Sequence, residues 1–107
     1  MKISLINAIE KDGQTINELT LNLKGLTGND LTKAESDARA MGDTSPDPLF
    51  SAKGLTVIAA KAAGMIPDDI LGLSAPDFLQ VKAVVSIFLY GWLLPAKTQS
   101  EIYGEQS

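Results

Sequence analysis

The sequence contains no cysteine and no histidine. Without cysteine the chain can form no disulfide and offers no thiolate to a metal ion. Without histidine it lacks the commonest general base and the commonest metal ligand of proteins. Serines such as Ser51 and Ser74 therefore have no imidazole to activate them as nucleophiles. We predict no catalytic residue, no metal ligand and no cofactor, and hence a protein that is not an enzyme.

Positive charge is also scarce, with 9 Lys and Arg against 13 Asp and Glu, and the net charge is −4. The basic residues are scattered along the chain, so no basic patch is available to a phosphate backbone and we expect no nucleic-acid partner. No apolar segment of signal-peptide length opens the sequence, which favours a cytoplasmic location.

Long hydrophobic runs are missing as well. A membrane span needs about 20 mostly apolar residues, and Gln80 and Lys82 interrupt the most apolar region before residues 83–94. The sequence therefore predicts no membrane partner. A small membrane protein such as a holin is a rival interpretation, which cell fractionation would test.

The first third of the chain has the pattern of a β-hairpin. Asp12-Gly13 is a strong turn signal, and Leu19, Leu21 and Leu23 alternate with polar residues, which indicates one buried and one wet face. We predict a hairpin over residues 3–23. Because an isolated hairpin is marginally stable in water, it must pack on helices, on further strands or on another chain.

Three main helices and one short helical turn are predicted after the hairpin. Thr27 caps the first helix, which Gly42 ends. Asp47 caps the second helix, and Pro48 is its first residue. That helix runs to about residue 63 and contains Gly54, either a weak point or a place of close backbone approach.

A proline-initiated turn at Pro67 precedes the most apolar helix, from about Ala75 to Trp92, with Ser74 as its cap and Asp77 in its first turn. The predicted fold class is therefore α+β, an N-terminal β-hairpin followed by three main helices and a short helical turn. We expect a single domain over residues 1–95 and a flexible polar tail over residues 96–107.

Carboxylates are dense only at Asp68, Asp69 and Asp77. They lack the spacing of a calcium-binding loop, and nothing in the sequence indicates burial or an activating partner for acid–base catalysis. Acidic residues in the first turn of a helix commonly complement its dipole. We interpret them as helix caps.

The last predicted helix is apolar almost all round. It can be the central helix of the core, or its far side can meet another subunit. A domain this small has few elements to cover every side of such a helix, which favours the second interpretation. Our predicted protein-contact residues are Phe88, Tyr90, Trp92 and Leu93.

The order of these segments resembles the tail assembly chaperone family of tailed bacteriophages and prophages, in its Mu-like and P2-like branch. The resemblance runs from about residue 3 to residue 94 and is carried by the following segments: Asp12-Gly13, Leu19-Thr20-Leu21, Leu26-Thr27-Gly28-Asn29-Asp30-Leu31, Val57 to Met65, Leu71, Leu73 and Asp77-Phe78-Leu79.

The resemblance implies a non-enzymatic role in the host bacterial cytoplasm. Members of the family hold the tape measure protein, help tail tube subunits assemble around it and leave before the tail is finished. The implied partners are the tape measure protein and the tail tube protein, together with self-association. The alternative is a structural tail or connector subunit, which would be found in purified virions.

Overall fold

The computed structural model describes residues 1–92, with side chains through residue 91. Its strands and helices are β1 (Lys2–Lys11), β2 (Gln14–Thr20), α1 (Gly28–Ala40), α2 (Ala52–Ala63), α3 (Pro67–Leu71) and α4 (Ala75–Trp92). Short 3-10 turns at Leu23–Gly25 and Pro48–Phe50 precede α1 and α2. An antiparallel hairpin followed by helices confirms the predicted α+β class. The tail predicted for residues 96–107 lies outside the described residues.

The hairpin turns where the sequence predicts. Asp12 and Gly13 both have positive φ, +52° and +79°, as the favoured two-residue hairpin turn requires. The strand pairing ends at Thr20, three residues before the predicted end. The reason is that the Asn22 amide donates to the Ala62 carbonyl at 2.9 Å, which directs the chain onto α2.

A large irregularity divides the hairpin in two. Ser4 pairs with Glu18, but the next recorded pair is Ile9 with Ile16. Residues 5–8 of β1 therefore stand opposite Asn17 alone, so β1 carries a bulge of three extra residues. A bulge bends its strand and frees backbone groups from the ladder. We call residues 2–4 and 18–20 the inner half of the hairpin, and residues 9–16 the outer half.

Helix α1 begins and ends as predicted. The Thr27 hydroxyl accepts from the Asp30 amide at 3.2 Å, and the Asp30 carboxylate accepts from the Thr27 amide at 2.9 Å. This reciprocal capping box satisfies two amides that the first turn leaves free. Gly42, with φ of +96°, follows the last turn. The buried stripe of α1 consists of Ala34 and Ala38.

The predicted start of the second helix was wrong by one turn. Asp47 makes no capping hydrogen bond, and Pro48 begins a 3-10 turn. The cap of α2 is Ser51, whose Oγ accepts from the Gly54 amide at 3.0 Å and donates to Asp43 at 2.7 Å. Ser51 lies four residues after Asp47, and the contact of its hydroxyl with Asp43 stabilises the later start of the helix.

Helix α2 lies at the centre of the domain. Eight of its twelve residues are buried, and it contacts α1, α3, α4, β2 and both 3-10 turns. A Cβ atom on Gly54 would overlap the Pro48 carbonyl oxygen, so the predicted close backbone approach at this glycine is real. Gly64, in the left-handed conformation, ends the helix.

Candidate protein-interaction surface

Helix α4 carries the largest candidate surface, and its first turn attaches it to the hairpin. The Ser74 hydroxyl donates to Asp77 at 2.9 Å, and the Phe78 amide donates to the Ser74 carbonyl at 2.8 Å. The first contact depends on the serine three residues before an aspartate, whereas the second is an ordinary backbone hydrogen bond of the first helical turn. The Ser74 hydroxyl helps to hold the Asp77 side chain, whose carboxylate faces β1.

The Asp77 carboxylate is fully buried and clasps the bulge of β1. Its two oxygens accept from the backbone amides of Ile6, at 2.8 Å, and Asn7, at 2.9 Å. Hydrogen bonds from the amides of Asn7 and Ile6 hold the pKa of Asp77 below its ordinary value, because they favour the charged carboxylate. The burial of Asp77 contradicts our sequence interpretation, which found no sign of it.

Two opposite sides of α4 differ sharply in exposure. The inner side is buried in the core and consists of Val81, Val85, Phe88 and Leu89. The outer side is exposed, with 61% of Leu79, 58% of Ile87 and 55% of Tyr90 accessible to water, and Ala83 exposed between them. These four residues are spaced four, four and three apart, so they form one continuous row on the helix. We call this row the α4 stripe.

The α4 stripe is free of charge. Between Pro76 and Trp92 the only charged residues are Asp77 and Lys82; Asp77 points to the hairpin and Lys82 is half-buried. An apolar row on an acidic protein can therefore meet a partner without desolvating a charge, which is the costly part of most interfaces.

An aromatic contact marks one end of the stripe. The rings of Tyr90 and Phe50 stack with centroids 4.9 Å apart at an angle of 30°. Such stacking orients both rings. Since Phe50 belongs to the turn before α2, this contact holds the end of the stripe against the helical body, while more than half of Tyr90 still faces water.

The four predicted contact residues fall into three groups. Tyr90 is exposed and belongs to the stripe, whereas Phe88 is 9% exposed and belongs to the core cluster. The side chain of Trp92 and all of Leu93 lie outside the described residues. The prediction did not include Leu79, Ala83 and Ile87, although their helical spacing was a usable signal.

The adjacent acidic residues Asp68 and Asp69 lie in the first turn of α3. Asp69 accepts from the Ile66 amide at 3.1 Å and from Lys11 Nζ at 2.7 Å. The Lys11 ammonium and the Ile66 amide lower the pKa of Asp69, and Asp69 in turn raises the pKa of Lys11. Within residues 1–92, no group of three or more acidic side chains is placed to hold a metal ion.

Helix α4 is the longest helix in the described part of the chain. No helix there combines the length and the mean hydropathy that crossing a bilayer requires.

Comparison with known proteins identifies the family. A family model described as phage tail assembly chaperone proteins, E, or 41 or 14, matches residues 2–89. Comparisons with curated proteins and with solved structures gave no match. The matched range includes the hairpin, the first three helices and most of α4. Because the match spans well over half of the 107 residues, this chain belongs to the phage tail assembly chaperone family.

Proposed function

We propose that this chain is a non-enzymatic assembly factor that binds the tape measure protein and tail tube subunits in the host cytoplasm while a phage tail is built. Family membership supports a role in tail assembly. The single observation that supports protein binding by a defined surface is the α4 stripe, where three large apolar side chains are each more than half exposed.

The shape of the stripe suits an apolar helix face as its partner. Leu79, Ile87 and Tyr90 project at helical spacing, and the small Ala83 between them lets another backbone approach closely. Covering one leucine or isoleucine side chain contributes about 1.5–3 kcal/mol before the costs of association are subtracted. Three partly exposed side chains thus support reversible binding, as a helper that leaves the finished tail requires.

A tape measure protein that is a long, mostly helical chain with exposed apolar stripes would offer many such faces. Several copies of a small acidic chain could line up along it and stay soluble through mutual repulsion. Self-association through the same stripe is the competing use of this surface.

The test is capture of each partner by stripe variants. Leu79→Glu combined with Ile87→Glu should reduce co-purification of the tape measure protein from phage-producing cells at least about tenfold, because it buries charge against an apolar helix. Ile66→Glu is the matched control, since Ile66 is 56% exposed but lies outside α4. The tail tube protein is scored in the same eluates.

Three results would contradict the proposal. One is unchanged capture of the tape measure protein by the double variant. Another is equal loss with Ile66→Glu. The third is stoichiometric presence of this chain in purified tails by mass spectrometry, which would make it a structural subunit instead.

A further inference from the structure

The two halves of the hairpin are attached to the domain by different means. In the inner half, Ile3 and Leu19 are 2% and 1% exposed and belong to the core. Next to them the Leu21 amide donates to the Met1 carbonyl at 2.7 Å. In the outer half no residue is buried, and Ile9 and Ile16 are only half-buried against the core. Apolar burial therefore fixes the inner half much more firmly than the outer half.

The bulge between the halves is bound to helix α4. The Asp77 carboxylate holds two consecutive amides of the bulge, those of Ile6 and Asn7. These two buried hydrogen bonds attach the bulge to α4. Residues 5–8 also have no one-to-one register partners on β2, and such a bulge interrupts the regular ladder.

An ion pair attaches the outer half to α3, and a hydrogen bond between its two strands links them to each other. Lys11 Nζ lies 2.7 Å from Asp69 Oδ2, and both side chains retain partial exposure, 29% and 18%. Partly exposed ion pairs contribute little and weaken with salt. Across the strands, Thr15 donates to Glu10 at 2.5 Å, which favours motion of the outer half as one piece.

We propose that the outer half of the hairpin, residues 9–16, is a strap that opens as a unit about the bulge at residues 5–8 when the Lys11–Asp69 pair breaks. Opening uncovers the apolar side chains of Ile9 and Ile16 together with the part of the core that they cover. The inner half stays closed throughout. This motion is independent of the α4 stripe and of the partners proposed for it.

Distance measurements between spin labels test the strap directly, because the chain has no cysteine of its own. One label pair, at Gln14 and Gln80, reports on the outer half, and a matched pair, at Thr20 and Gln80, reports on the inner half. All three positions are exposed and uncharged. Pulsed electron paramagnetic resonance gives the distance distribution for each pair.

Reversing the charge of Lys11 should break the Lys11–Asp69 ion pair and open the strap. With Lys11→Glu we expect a second population with a longer Gln14–Gln80 distance. The ratio of this open population to the closed population should be about tenfold higher than in the unsubstituted chain. In the unsubstituted chain, 1 M salt should shift the same ratio in the same direction. The Thr20–Gln80 distribution should stay unchanged. Lys33→Glu, which reverses one partner of the Lys33–Asp37 pair on α1, is the control and should alter neither distance.

Two results would contradict the proposed opening of the strap. An unchanged Gln14–Gln80 distribution in Lys11→Glu would show that the ion pair does not hold the outer half. Equal broadening of the Thr20–Gln80 distribution would show that the hairpin moves as a whole, without a pivot at the bulge.

Discussion

Helices α2 and α4 are both strongly apolar, yet the fold uses them in opposite ways. Helix α2 buries eight of twelve residues and touches nearly every other element. Helix α4, which is longer, buries one side and exposes Leu79, Ile87 and Tyr90 on the other. Apolar composition alone therefore does not place a helix at the centre of a domain; the number of elements packed around it does.

Side-chain size contributes to this difference in burial between α2 and α4. The buried surface of α2 includes Ala59, Ala60 and Ala62 as well as Gly54, and small residues let neighbours approach on several sides. The exposed side of α4 carries three large residues, Leu79, Ile87 and Tyr90, beside the small Ala83. Large apolar side chains lose most by staying in water, so the outer side of α4 gains most from a partner.

The sharpest test of this comparison is truncation of one large side chain on each helix. Ile58→Ala in α2 should cost about 2–5 kcal/mol of unfolding free energy, because Ile58 is fully buried and its loss leaves a cavity. Leu79→Ala in α4 should change it by about 0.5 kcal/mol or less. Urea denaturation followed by circular dichroism measures both. Similar losses for the two variants would remove the distinction between the helices.

Gly54 tests how tightly α2 is packed. Gly54→Ala should destabilise the domain by about 1–3 kcal/mol, because the new methyl group overlaps the Pro48 carbonyl and backbone must move. The control is Gly28→Ala, where a Cβ atom meets nothing within 4 Å and alanine favours the helix. If Gly54→Ala proved as neutral as the control, the close approach would not constrain the fold.

Acid should affect the attachment of α4 more than the packing of α2. The pKa of Asp77 is lowered by folding, so its ionised form stabilises the fold above the ordinary value of about 3.9, and this stabilisation is lost as pH falls through the lowered value. The same sign holds for Asp30, Asp43 and Asp69, whose pKa values are also lowered.

The measurement is the urea midpoint between pH 6 and pH 2. We expect it to fall in acid, and to fall less steeply in Asp77→Asn, by up to about one proton in the linkage slope. Asp77→Asn should also be less stable at pH 6, because an amide offers one acceptor where the carboxylate offers two to the amides of Ile6 and Asn7. Asp68→Asn, at an exposed position, is the control. An identical pH slope in Asp77→Asn and the unsubstituted chain would contradict the role of Asp77.

Most of the secondary structure was predictable because its signals are local. The Asp12-Gly13 turn, the Thr27–Asp30 capping box and the end of α2 at Gly64 each depend on a few neighbouring residues. The candidate surface was predictable only in part. Of the predicted contacts, Tyr90 is exposed and Phe88 is buried, because the sequence showed an apolar helix but not which side its own fold would cover.

The amino-acid pattern thus fixed the order of elements, the hairpin turn, the capping box of α1 and a chain without histidine or cysteine chemistry. Tertiary structure alone decided three features: the burial of Asp77 against a bulge some seventy residues earlier, the choice of Ser51 as a cap, and the central position of α2. The physical reason is range. The hairpin turn and the α1 capping box depend on residues within three positions of each other, whereas burial, and the choice between competing caps, depend on which separate segments meet.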